Sequence, residues 1–107
     1  MEKKNIDWAN LGFGYVETDK RFVSYYKDGA WDEGALISDP MVTMSECACV
    51  LQYAQTCFEG MKAYPCDGKI LLFRPEMNAR RMNSSAERLC MAQIPEELFI
   101  ELSLIHI

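Results

Sequence analysis

Apolar and strand-forming residues recur along the chain in two short blocks that are each broken by a turn. Arg21 to Tyr26 is rich in β-formers, and Asp28-Gly29 separates it from Trp31, which predicts a hairpin. A second hairpin is predicted from Met61 to Phe73, around the turn Pro65-Cys66-Asp67-Gly68. Connections this short favour antiparallel pairing of the strands.

A helix is predicted between the two hairpins. Thr43-Met44-Ser45-Glu46 fits a capping box, with Thr43 as the N-cap and Glu46 at its third position. The apolar residues that follow recur at helical spacing: Val50, Leu51, Ala54, Cys57 and Phe58. Gly60 is placed to end this helix.

Two further helices are predicted in the last third of the chain. Pro75 suits the first turn of a helix because its missing N–H is no loss there. Its apolar face is Met82, Ala86, Leu89 and Cys90, and another face carries Arg81, Ser85 and Arg88. A last helix begins after Pro95, with Glu96 and Glu97 in its first turn. The element order predicts an α+β fold of antiparallel strands with flanking helices.

Length and composition narrow the possible functions. The 107 residues are the length of one small domain, and 16 acidic against 11 basic residues give a net charge of −5. Such a balance argues against a nucleic-acid or anionic-membrane surface. We find no secretory signal, and no apolar run approaches the roughly 18–20 residues of a membrane span. The five cysteines show neither a zinc-site nor a CxxC spacing, so we expect no metal site and a cytoplasmic protein with reduced thiols.

Three arginines near the start of the second predicted helix are the strongest candidates for chemistry: Arg74, Arg80 and Arg81. Arginine can hold a phosphate or a carboxylate through two parallel hydrogen bonds. From spacing alone, the alternative is a solvated basic face that pairs with Glu76 or Glu87. A catalytic triad is not expected, because the single histidine, His106, lies one residue from the end.

Two motifs then make the chain recognisable. Phe58-Glu59-Gly60-Met61-Lys62-Ala63-Tyr64, followed by Phe73-Arg74-Pro75-x-x-Asn78-x-x-Arg81, resembles the branched-chain amino acid aminotransferases. The resemblance covers roughly residues 5 to 98. It implies the small N-terminal domain of a fold-type IV pyridoxal-phosphate enzyme, which exchanges amino groups between leucine, isoleucine or valine and 2-oxoglutarate.

The resemblance also implies roles for single residues. Arg81 matches the arginine that binds the phosphate of pyridoxal 5'-phosphate. Tyr53 and Phe58 match residues that line the apolar substrate pocket, and Phe13 matches an aromatic residue that closes it. The Schiff-base lysine of the family lies in a second domain, beyond residue 107, so we expect no catalytic residue here and no activity of this chain alone.

The resemblance further implies a homodimer for the full-length enzyme. We expect residues 1–101 to be an incomplete small domain and residues 102–107 to be a non-native tail, since they do not continue the family pattern. Two alternatives stay open. One is another enzyme of the same class, a D-amino acid aminotransferase or an aminodeoxychorismate lyase, and the other is a non-enzymatic interaction domain.

Overall fold

Short antiparallel strands precede two α-helices in the computed structural model, which describes residues 6–10 and 12–105. The chain divides into two units, Met1–Thr43 and Met44–Ile107. The first unit holds a 3-10 turn, Trp8–Asn10, and four strands: β1 (Arg21–Val23), β2 (Tyr26–Lys27), β3 (Ala30–Trp31) and β4 (Ala35–Ile37). The second holds a 3-10 turn, Cys49–Gln52, then β5 (Ala63–Cys66), β6 (Lys69–Leu72), α1 (Pro75–Arg88) and α2 (Glu96–Ile105). This architecture confirms the predicted α+β class.

The first predicted hairpin is present and longer than predicted. β2 pairs with β3 across Asp28-Gly29, and both turn residues have positive φ, 52° and 87°. Two left-handed residues in a row match the right-handed twist of the strands, which is why Asp-Gly favours this turn. Beyond a bend, β1 continues the pairing with β4, in the register Phe22 opposite Leu36.

Asp32 holds that bend. Its Oδ1 accepts hydrogen bonds from the Ser24 hydroxyl at 2.8 Å and from the backbone N–H groups of Tyr25 and Gly34, each at 3.0 Å. These bonds lower the pKa of the Asp32 carboxyl, the Tyr25 N–H contributing most. Gly34 follows with φ +64°, and a Cβ on it would overlap the end of the Phe22 ring. The left-handed backbone therefore favours glycine at this bend, and a Cβ would also require the Phe22 ring to move.

The second hairpin confirms its prediction with a shorter turn. β5 pairs with β6 from Ala63 opposite Leu72 to Cys66 opposite Lys69. Pro65 and Cys66 are part of the strand, so the turn is Asp67-Gly68 alone, again with both φ angles positive, 49° and 72°. Both hairpins are therefore connected by a two-residue Asp-Gly turn.

Helix α1 begins at Pro75, as predicted, and ends at Arg88, two residues before a left-handed residue, Cys90 (φ 56°). The N–H of Cys90 donates to the carbonyl of Glu87 at 3.1 Å, and that of Met91 to the carbonyl of Ala86 at 2.8 Å. This pair of bonds is the Schellman C-cap, here without its usual glycine. It satisfies carbonyl groups that the end of a helix would otherwise leave unpaired.

Helix α2 packs against α1. The Asn83 side chain fixes the chain that leads into α2, because it both donates to the carbonyl of Ile94 (2.7 Å) and accepts from its N–H (2.9 Å). Glu96 and Glu97 lie in the first turn of α2, as predicted, where carboxylates favour the positive end of the helix dipole. None of the helices in the described residues is both long and apolar enough to span a bilayer.

The helix predicted from the Thr43 capping box to Gly60 is wrong. The structure has only the 3-10 turn Cys49–Gln52 there, and the predicted apolar stripe is largely exposed, with Val50 and Leu51 at 50% and 56%. Tyr53 and Gln55 adopt left-handed backbones (φ 56° and 44°), which no α-helix can continue through.

Few of the described residues are fully buried. Among the described residues, the buried ones are Asn78, Ala79 and Ala86, and all three lie on α1. Large apolar side chains on the second hairpin remain exposed, including Tyr64, Leu71 and Phe73. The fully buried apolar core within the described residues is therefore small and lies along α1.

Replacing Gly34 with Ala is expected to lower the free energy of unfolding by about 2 kcal/mol or more, from the left-handed backbone and the Phe22 overlap together. Urea denaturation measures it. Gly29→Ala is the matched control, because Gly29 also has positive φ but nothing lies within 4 Å of its added Cβ. Equal losses in the two variants would contradict the contribution of the Phe22 ring.

Candidate functional site

The site centres on an ion pair between Arg81 of α1 and Glu59, which lies in the irregular segment before β5. The Nε of Arg81 donates to Oε2 of Glu59 at 3.1 Å, and its Nη2 donates to Oε1 at 2.8 Å. Two parallel bonds fix the plane of the guanidinium as well as its distance. Arg81 therefore has a defined orientation, unlike most surface arginines.

Asn78, one turn earlier on α1, completes the arrangement. Its buried amide Nδ2 donates to Oε1 of Glu59 at 2.7 Å and to the carbonyl of Gly60 at 2.8 Å. The Glu59 carboxylate thus accepts bonds from two residues on one face of the helix. Its side chain is only 9% exposed, whereas that of Arg81 is 58% exposed.

These contacts keep both partners ionised. The hydrogen bond from Arg81 is the main cause that lowers the pKa of the Glu59 carboxyl, and the bond from Asn78 adds to it. The same hydrogen bond to Glu59 raises the pKa of the Arg81 guanidinium. The pair is therefore fully charged at neutral pH.

Arg81 retains the capacity to bind a ligand. A guanidinium carries five N–H donors, and Glu59 takes two of them. The other three are one N–H on Nη2 and two on Nη1, on a side chain that is more than half exposed. Two of these, one on each Nη atom, are parallel and suit two oxygens of a phosphate group, which is compatible with the role that the family motif implies.

The other two arginines of the cluster form ion pairs of a looser kind. Nε of Arg74 lies 3.9 Å from Glu76, which is one of the partners that the solvated-face alternative named. Nε of Arg80 lies 3.4 Å from Glu96 of α2. Each of these contacts uses one nitrogen, so neither fixes the guanidinium as Glu59 fixes Arg81.

The three predicted pocket aromatics are all exposed. Phe58 (93%) precedes Glu59 and lines an open groove of about 470 Å³ together with Ser85 and Arg88 of α1. Tyr53 (95%) caps the 3-10 turn, and Phe13 lies fully exposed in the first unit. Phe58 and Arg81 are linked through Glu59, which neighbours one in the chain and pairs with the other.

The residue-by-residue reasoning missed Glu59 and Asn78 as site residues. Both stand in the two quoted motifs, but the motifs gave no reason to join them. The available signal was that Asn78 and Arg81 are spaced i, i+3 and so share a helix face. Glu59 lies 22 residues before Arg81, and only the fold shows that it contacts this helix face.

Comparison with known proteins gives the class. No protein-family model matches the chain. It is 53% identical over 98 residues to a branched-chain-amino-acid aminotransferase of Haemophilus influenzae, covering 91% of this chain and 29% of the relative. It is 52% identical over 99 residues to a branched-chain-amino-acid aminotransferase of Helicobacter pylori, covering 92% of this chain and 29% of the relative. It is 41% identical over 101 residues to branched-chain-amino-acid transaminase 1 of Bacillus subtilis, covering 92% of this chain and 28% of the relative.

These relatives are all aminotransferases. Over about nine tenths of its length the chain is similar to branched-chain-amino-acid aminotransferases, which confirms the resemblance that the two motifs indicated. It spans between a quarter and a third of the length of the curated relatives it matches.

The Glu59–Arg81 pair is expected to contribute to stability in a pH-dependent way. Because folding lowers the pKa of Glu59, its contribution is complete above the usual value of 4.5 and is lost as the pH falls through the lower pKa of the folded state. The difference in unfolding free energy between the native chain and Glu59→Gln should therefore shrink as the pH falls below 4.5.

Urea denaturation from pH 7 downwards measures this difference. Asp32 also titrates with a lowered pKa, but its contribution is the same in both proteins and cancels. A difference that stays constant across this range would contradict the assignment.

Proposed function

We propose that this chain forms the cofactor-phosphate-binding part of a pyridoxal 5'-phosphate enzyme, which transfers amino groups between branched-chain amino acids and 2-oxoglutarate. The observation that carries the proposal is the oriented, half-exposed guanidinium of Arg81, within a sequence 53% identical to a curated branched-chain-amino-acid aminotransferase. When bound, the cofactor supplies an electron sink for the amino acid.

The proposed task of Arg81 is to hold the cofactor phosphate. Arginine suits it because the charge is permanent and the donors are planar, so two phosphate oxygens can be bound at once. Glu59 already balances one positive charge at this site, so the remaining affinity depends on well-directed hydrogen bonds. Additional donors for a phosphate dianion would come from other parts of the enzyme.

The proposed task of Phe58, Tyr53 and Phe13 is to line the apolar slot for a branched side chain. Their exposure supports the proposal, because each ring is accessible to a bound apolar side chain. Discrimination in such a slot is modest, about 1–3 kcal/mol per methylene group. We therefore assign no preference among leucine, isoleucine and valine to these residues.

The remaining expectations form part of the same proposal. Residues 1–101 would belong to the small first domain, and residues 102–107 would be foreign to it. The lysine that binds the cofactor covalently would lie in the part of the enzyme beyond this chain, and the complete enzyme would be a cytoplasmic homodimer.

A chimeric enzyme tests the role of Arg81. The 98 aligned residues of this chain replace their counterparts in the Haemophilus influenzae relative, and the dissociation constant of pyridoxal 5'-phosphate is measured by fluorescence quenching. Arg81→Ala is expected to weaken binding about tenfold or more, because it removes a charge-assisted bidentate contact. Arg80→Ala is the matched control, since Arg80 is the adjacent arginine of α1 and pairs with Glu96. Equal effects of the two substitutions would contradict the role of Arg81.

The chain by itself is expected to be inactive. Incubated with leucine, 2-oxoglutarate and pyridoxal 5'-phosphate, the 107-residue protein should form glutamate no faster than the cofactor does without protein, because covalent catalysis needs the Schiff-base lysine that the resemblance assigns to a second domain. The chimeric enzyme is the positive control in the same coupled assay. Glutamate formation by the chain that exceeds the background would overturn this expectation.

A further inference from the structure

We propose that Glu59 is a positioning residue, which binds one edge of the Arg81 guanidinium so that the other edge is presented to the phosphate of the ligand. The inference rests on the proposed function, because it takes Arg81 as the phosphate-binding residue. It adds a specific role for a carboxylate that a phosphate site would not be expected to contain.

The atoms of the contact support this role. A guanidinium can form two parallel hydrogen bonds at its side, through Nε and Nη2, or at its end, through Nη1 and Nη2. Glu59 occupies the side edge, since its oxygens lie 3.1 Å from Nε and 2.8 Å from Nη2. The end edge still has a donor on each Nη atom and can bind two phosphate oxygens while Glu59 stays in place.

Burial differs between the two partners of the contact: Glu59 is enclosed, whereas Arg81 is accessible to a ligand. The Glu59 side chain is 9% exposed and that of Arg81 is 58% exposed. Asn78 holds Oε1 of Glu59 at 2.7 Å and also binds the Gly60 carbonyl, so the carboxylate is tied to α1 and to its own backbone. An anchor of this kind limits the rotamer freedom that an arginine otherwise loses when it binds a ligand.

Glu59 could also act as a competitor, because a carboxylate close to the site repels a phosphate. The geometry favours positioning. A competing carboxylate would occupy the exposed end of the guanidinium, whereas Glu59 binds the side edge and is itself enclosed. The two roles predict opposite effects when the charge of Glu59 is removed.

The neighbouring pair Arg80–Glu96 shows what an unspecialised contact on the same helix looks like. It has one bond, from Nε to Oε2 at 3.4 Å, and the Glu96 side chain is 38% exposed. A single long bond leaves the guanidinium free to rotate. Glu96→Gln is therefore the matched control for Glu59→Gln.

The test measures ligand binding to the apo form of the chimeric enzyme. The probes are pyridoxine 5'-phosphate, which has the phosphate but no aldehyde to react with lysine, and pyridoxine, which lacks the phosphate. Glu59→Gln is expected to weaken binding of pyridoxine 5'-phosphate about fivefold, the equivalent of one hydrogen bond of about 1 kcal/mol. It should leave pyridoxine binding unchanged, and Glu96→Gln should change neither.

Glu59→Asp separates the effect of the carboxylate charge from the effect of the side-chain length. It keeps the carboxylate but shortens the side chain by one methylene, so it should also weaken binding of the phosphate probe if position is what matters. Unchanged or tighter binding in Glu59→Gln would overturn the proposal, and tighter binding would identify Glu59 as a competitor. An equal loss for both probes would also overturn it, since Glu59 would then act only on the fold.

The same assay distinguishes failure of this inference from failure of the proposed function. If Arg81→Ala weakens binding of the phosphate probe but Glu59→Gln does not, only the positioning role of Glu59 is wrong. If Arg81→Ala has no effect, the phosphate-binding role of Arg81 is wrong, and the inference fails with it.

Discussion

The bonds that Glu59 accepts from Asn78 and Arg81 are the constraint on which the second unit depends. They join a segment with no regular secondary structure to the one long helix, and they do so just before the β5–β6 hairpin begins. Partly enclosed charges are stable only when they are paired, so this contact allows few other arrangements of the segment. The position of Phe58 and the entry into the hairpin both follow from it.

The parts of the fold that the sequence could predict are those decided by neighbouring residues. Asp28-Gly29 and Asp67-Gly68 identify both hairpins, because few residue pairs accept two positive φ angles in succession. Pro75 marks the start of α1 in the same local way. Where one or two residues determine the backbone, a single sequence is sufficient.

The predicted helix before Gly60 failed because contacts from far along the chain decide that segment. Gln55, with a left-handed backbone, donates from its side-chain amide to the carbonyl of Leu89 at 2.9 Å, 34 residues away. No periodicity within the segment reports such a bond. The candidate site shows the same difference between local and distant contacts. The motif indicated Arg81 directly, whereas its partner Glu59 became evident only from the position of the preceding segment against α1.

The near absence of buried apolar side chains has a thermodynamic consequence. The heat capacity change of unfolding, and the sensitivity of unfolding to denaturant, both scale with the apolar surface that unfolding exposes. Because Ala79 and Ala86 are the fully buried apolar residues within the described part, unfolding exposes less apolar surface than it does in a well-packed domain of this length. We therefore expect its stability to vary less steeply with temperature and denaturant than that of a well-packed domain, and its transitions to be broader.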